Sequence, residues 1–96
     1  MTYRKIVEKL KRHKGQLIRK YDLSEIGLFG SFVRGEQKRN SDVDVLVEFS
    51  ESIDFFAFLD LEEYLSKLLH RKVDLVSRKA LKPRIGKFIL EEMVLV

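Results

Sequence analysis

GSFVRGEQKRNSDVD, residues 30–44, is the stretch on which both the fold and the chemistry of this chain turn. An apolar run, Ile26-Gly27-Leu28-Phe29, leads into it, and a second, Val45-Leu46-Val47, leaves it. The pattern predicts a strand, a glycine turn, a short helix or loop, and a second strand that opens on acids. Side chains i and i+2 of a strand share a face, so Asp42 and Asp44 project together while Val43 points the other way. Two neighbouring carboxylates repel. Mg²⁺ relieves that repulsion, because it takes oxygen ligands from one or two carboxylates, from water and from substrate phosphates. The Gly30-Ser31 turn offers the matching half: backbone N–H groups at a helix start, with no side chain in the way, receive an anion such as phosphate. Carboxylates for a metal and a turn for phosphate within one unit point to nucleotidyl transfer.

Within the same unit, Ser31 to Gly35 predicts about one helical turn, which puts Arg34 on the side of Ser31, within reach of a triphosphate or a site carboxylate. Residues 35–40, GEQKRN, read as a polar loop, and Ser41 as a local hydrogen-bonding residue that fixes the approach to Asp42. The second strand is expected over about Val43–Phe49, with Val43, Val45 and Val47 on the covered face and Asp42, Asp44, Leu46 and Glu48 on the other. Upstream, Tyr3, Ile6, Val7 and Leu10 have the spacing of one helix face. They predict a helix from Thr2, as N-cap, to about Lys14, with Gly15 a stop and Gln16–Tyr21 a further turn or two. Its lysines and arginines read as a solvated face rather than as contacts to RNA or ATP. The first strand follows over Glu25–Phe29.

Downstream, Phe55, Phe58, Leu59, Leu61, Leu65, Leu68 and Leu69 form a wide helical stripe, read as core rather than as a base-stacking surface. Lys72–Val76 is a third strand. An aspartate there, Asp74, sits between valine and leucine, a disfavoured place unless it joins Asp42 and Asp44 at the metals. Pro83 suits the first position of a last helix, Arg84–Glu91, with Ile85, Phe88 and Ile89 inward. Met93–Val96 is expected as a short edge strand or a hydrophobic contact surface.

Ninety-six residues predict one domain, 1–96, that buries roughly 60–70% of its unfolded surface, so a substrate or partner is expected to complete the pocket. With no cysteine and two histidines, disulfides, thiolate metal sites and histidine-rich zinc sites are excluded. No apolar run approaches the ~18 residues of a membrane span, and the first residues lack a signal-peptide core, so the expectation is a cytoplasmic protein with no membrane partner. Charge is segregated. Residues 1–20 carry eight Lys/Arg and one acid, and residues 42–66 carry eight acids and no Lys/Arg. A basic surface beside an acidic centre steers an anionic substrate to a metal site, without choosing between nucleic acid and a nucleoside triphosphate.

Gly30-Ser31, ten intervening residues and Asp42-Val43-Asp44, with Asp74 in KVDLV and Leu81-Lys82-Pro83 before the last helix, resemble the polymerase-β-like nucleotidyltransferases. Among them the chain is most similar to the MNT (minimal nucleotidyltransferase) proteins, over essentially its whole length. The resemblance implies an α/β fold, a small mixed sheet with helices mainly on one face. It implies two Mg²⁺ ions held by Asp42, Asp44 and Asp74, with Asp74 a ligand of the catalytic metal or the group that helps deprotonate the attacking hydroxyl. Gly30, Ser31, Arg34 and Ser41 would surround the nucleotide phosphates. The implied reaction is transfer of AMP from ATP to an acceptor hydroxyl.

MNT proteins typically sit beside a HEPT-type toxin as its antitoxin, and some add AMP to a tyrosine of that partner. The resemblance therefore implies a protein adenylyltransferase antitoxin with a cognate HEPT toxin as partner. Two alternatives stand beside it: an antitoxin that neutralises by binding alone, and a nucleotidyltransferase acting on a small molecule or RNA. Against the second, no acceptor-binding domain is appended, so nucleic acid is not the expected partner. Nucleotide preference and self-association as a homo-oligomer are left open.

Overall fold

The alternation around Asp44 builds a central strand of a four-stranded sheet in the structure, a computed structural model that describes residues 2–96. β2 (Val43–Phe49) pairs antiparallel with β1 (Leu23–Phe29) and parallel with β3 (Val73–Ser77). A two-residue β4 (Val94–Leu95) adds antiparallel to β1, giving the order β3-β2-β1-β4. This is the mixed sheet that the resemblance implies, and Val94–Leu95 is the expected edge strand.

One face of the sheet is the core. Val43, Val45 and Val47, with Ile26 and Leu28 of β1 and Val73 and Leu75 of β3, are buried against Ile6, Leu10 and Leu17 of α1 (Tyr3–Tyr21) and Leu61, Leu65 and Leu69 of α3 (Phe55–Leu69). Thr2 caps α1 as expected, its hydroxyl accepting the Lys5 N–H at 3.3 Å. Gly15 does not stop that helix. A mid-helix glycine costs about 1 kcal/mol, whereas burying Leu17 alone returns about 1.5–3 kcal/mol, so α1 runs through to Tyr21. It ends at Asp22, whose φ of 56° closes the left-handed cap. β1 accordingly begins at Leu23, two residues before the expected Glu25, with an irregularity between Leu23 and Glu25.

The stripe of α3 is narrower than its sequence predicts. Phe55 is 68% exposed and Leu59 is also exposed, and Phe55 lines an open cavity with Phe49 and Ile53 instead of packing on the core. Phe58 and Leu68 are partly buried against the core.

The other face carries Gly27 and Phe29 of β1, Asp44, Leu46 and Glu48 of β2, and Asp74 of β3. Met93 lies so close over Gly27 that a Cβ there would approach its Cγ to 2.7 Å. Arg78 ties Glu25 (2.9 Å) to Glu48 (3.5 Å) at the end of this face far from Asp44. α4 (Pro83–Glu92) opens on proline as expected, but of its apolar stripe only Ile89 is half-buried, and Ile85 and Phe88 do not pack inward. Ile85 is 60% and Phe88 70% exposed, and Gly86 is the one buried residue of the helix. The stripe of Ile85, Phe88 and Ile89 instead borders an open cavity over Asp44. No helix among the described residues is long and apolar enough to cross a membrane.

Candidate active site

Parallel pairing of β2 with β3 sets Asp44 directly beside Asp74, so the strand parity that gathers acids on one face also joins two strands at that level. Asp42 lies two residues before Asp44 and therefore on the same side, with Lys72 Nζ 3.8 Å from its Oδ2. Burial, the neighbouring Asp74 and then Asp42 push the Asp44 carboxyl up from 3.8 to about 6, only partly opposed by Arg34. Three like charges with little protein cation between them are the donor set that a hard divalent cation would satisfy. Among the described residues, these carboxylates are not drawn together tightly enough to form a closed three-ligand site. Mg²⁺ commonly keeps several waters and takes further ligands from substrate phosphates, so an open set of this kind fits it.

The glycine turn lies against the same acids. Gly30 has φ 81° and ψ −155°, a conformation essentially confined to glycine, and a Cβ on it would collide with Oδ2 of Asp44. Leu28-Phe29-Gly30 can pass this close to β2 only without that atom. α2 (Ser31–Arg34) is a single turn of four residues, too short for much macrodipole, so any anion seat here rests on individual donors. Two are in use. The Gly30 N–H donates to Glu92 Oε2 at 2.8 Å, and Arg34 Nη1 donates to Glu92 Oε1 at 2.7 Å. Arg34 Nε also donates to Glu36 at 3.2 Å. The Arg34 pairing, and then the Gly30 N–H, hold the Glu92 carboxyl below the usual glutamate range against the opposing effect of burial.

Ser31 is half-buried at the start of α2, and its carbonyl accepts the N–H groups of Gly35 and Glu36. Ser41 works within its own loop, its hydroxyl accepting the Lys38 N–H at 2.7 Å. Arg71 Nη1 then donates to the carbonyls of Arg39 (2.9 Å) and Ser41 (3.0 Å) while its guanidinium lies over the Phe32 ring. The approach to Asp42 is thus fixed from both sides, as its sequence suggests for Ser41.

Asp42, Asp44, Asp74 and Gly30 are brought together, then, with Arg34 at the rim through Glu92. Glu92 and Arg71 were not foreseen. For Glu92 a signal existed: a carboxylate in the last turn of a helix gains nothing from the negative helix end, which argues for a partner elsewhere. Asp44, Gly30, Arg34 and Glu92, but not Asp42 or Asp74, border a cavity of about 680 Å³. Gly30, Arg34, Asp44 and Glu92 form its polar end, and Ile85, Phe88 and Ile89 its apolar wall.

Comparison with known proteins identifies the family and the fold. A family model described as a nucleotidyltransferase domain matches residues 4–96. Over 96 residues the chain is 47% identical to the protein adenylyltransferase MntA of Thermococcus cleftensis, covering 100% of this chain and 97% of that one. Among solved structures, a candidate minimal nucleotidyltransferase superposes with a TM-score of 0.86 at 29% identity, over 100% of this chain and 97% of its own. A chain of a toxin-antitoxin crystal structure with AMP-PNP matches with a TM-score of 0.74 at 29% identity, over 88% of this chain and 69% of that chain.

Proposed function

The chain belongs to the nucleotidyltransferase-domain family, and on that premise we propose that it is a protein adenylyltransferase, moving AMP from ATP to a tyrosine hydroxyl of a cognate HEPT-type toxin and so acting as its antitoxin. The observation that carries this reading is the register of Asp44 beside Asp74, with Asp42 on the same side and Gly30 held against Asp44. Asp42, Asp44 and Asp74 would hold two Mg²⁺ ions, which when bound supply charge neutralisation at the attacking oxygen and at the leaving pyrophosphate. Gly30, Ser31 and Arg34 would receive phosphate oxygens.

The toxin hydroxyl attacks the α-phosphorus and the bond to pyrophosphate breaks. The proton of that hydroxyl passes to a carboxylate oxygen of Asp74, the exposed member of the trio and hence the one an incoming acceptor meets. A protein acceptor suits a cavity this open, because the partner itself closes it and excludes water. The relative named MntA and the toxin-antitoxin structure with AMP-PNP support the same assignment.

Incubating the purified chain with Mg²⁺, ATP labelled at the α-phosphate and the cognate toxin is expected to label one or more toxin tyrosines. A toxin that stays unlabelled while remaining neutralised would replace this reading with neutralisation by binding alone.

The apolar wall gives the nucleoside a place. Phe88 faces the cavity from α4, so the base would stack on it and against Ile85. A stacked base is worth about 1–3 kcal/mol, and Phe88→Ala is expected to raise the KM for ATP roughly tenfold or more. Its melting temperature should not change, since the ring is largely exposed. Steady-state kinetics over a range of ATP concentrations test this, and an unchanged KM would place the base elsewhere.

A further inference from the structure

Glu92 ends α4 with a carboxylate at the negative pole of the helix, yet its side chain is only 22% exposed and is fully engaged. Its two oxygens take the Gly30 N–H at 2.8 Å and Arg34 Nη1 at 2.7 Å. It does so although Asp44, another acid, is near enough for the two carboxylates to repel. Two charge-assisted bonds to fixed donors hold it there. A carboxylate and a phosphate present the same kind of paired acceptor oxygens, and these two donors cannot serve both at once.

We infer that Glu92 is a built-in competitor for the phosphate seat: it occupies the Gly30 and Arg34 donors, and a triphosphate must displace it. The inference rests on the nucleotide site proposed above. Vacating the seat asks little of the fold. Glu92 is not part of the apolar core, and Ile85, Phe88 and Leu90 of α4 are already exposed, so releasing the Glu92 carboxylate uncovers no core residue. Arg34 keeps Glu36 as a second partner while it changes the first.

When the competent state is only a fraction of the population, apparent affinity falls by that fraction. A metal-bound triphosphate, with contacts beyond this seat, absorbs the loss. Orthophosphate has only the seat and does not. Glu92 therefore sets an affinity threshold: it weakens every phosphate ligand by the same factor, so that a metal-bound triphosphate still binds and orthophosphate falls below measurable binding.

Calorimetric titration of inorganic tripolyphosphate with Mg²⁺, and separately of orthophosphate, tests this on wild type, Glu92→Gln and Glu92→Asp. The Gly30 amide is followed by ¹H–¹⁵N spectra, and thermal melts confirm that each variant is folded. Gln removes the charge, and Asp is one methylene too short to span both donors. Both variants are expected to bind tripolyphosphate about tenfold more tightly and to gain measurable orthophosphate binding, with the Gly30 amide shifting on addition. If tripolyphosphate binds wild type but binds both variants equally or more weakly, or leaves the Gly30 amide unmoved, Glu92 is a brace for the turn and the inference is overturned. If none of the three proteins binds tripolyphosphate, the inference falls together with the nucleotide reading.

Discussion

Asp44→Asn is expected to abolish AMP transfer while making the metal-free protein more stable. The loss should be at least about 10³-fold in kcat, because metal-centred stabilisation of transition-state charge is worth several kcal/mol and each 1.4 kcal/mol is about tenfold. The gain in stability follows from the same carboxylate. Its folded pKa, about 6, lies above the unfolded 3.8, so the folded chain holds that proton more tightly. The stability contributed is fully present below pH 3.8 and is lost as pH rises through about 6.

At pH 7.5 without metal, wild type therefore carries an ionised Asp44 at a penalty of about 1 kcal/mol, after allowance for solvent screening at a half-buried site. Asn removes that penalty, and at this chain length about 1 kcal/mol is roughly 4–8 °C in melting temperature. Calorimetry at several pH values measures it: wild type should lose stability between pH 4 and 6, and Asp44→Asn should not. Mg²⁺ should raise the melting temperature of wild type, by mass action on the folded state, and leave the variant nearly unchanged. An Asn variant less stable than wild type at pH 7.5 would mean that Asp44 is held by partners rather than by its neighbours' repulsion.

Gly30→Ala should be the most damaging single-methyl change in the chain. Alanine at φ 81° and ψ −155° is strained by about 1–3 kcal/mol, and its Cβ would drive into Oδ2 of Asp44. Relief requires β1 or Asp44 to move, and a displacement of about 1 Å at a reacting centre costs roughly 10²-fold in rate. Gly35→Ala is the control. Its φ of 72° is also left-handed, but no atom lies within 4 Å of the added Cβ, so it should lose only about 1 kcal/mol and keep its activity. Urea midpoints and transfer rates of the two variants, measured side by side, separate backbone strain from collision at the site. Equal losses in both would remove Asp44 as the reason for glycine at position 30.

The central unit was legible in the residues because its determinants are local. Alternation fixes which side chains of β2 share a face, so Asp42 and Asp44 fall together wherever the strand lies, and the Gly-Ser spacing sits within the same fifteen residues. Asp74 was legible by its discomfort, an acid inside an apolar strand. Exposure at the margins was not legible in the same way. Gly15 reads as a stop only if local propensity decides, and burial of Leu17 outweighs it. Ile85 and Phe88 have the spacing of a buried stripe, but spacing does not say whether anything lies opposite, and here it is a cavity.

By itself, then, the sequence determined the strand-turn-strand unit, its acidic face and the family. Only the tertiary structure decided that β3 lies parallel to β2 at the level that pairs Asp44 with Asp74, and that Glu92, 62 residues along the chain from Gly30, occupies the donors of the glycine turn. The physical reason is range. Periodicity and steric rules act over a few residues, whereas the partner of a given donor is chosen by the packing of the whole chain, which brings distant segments to the same edge of the sheet.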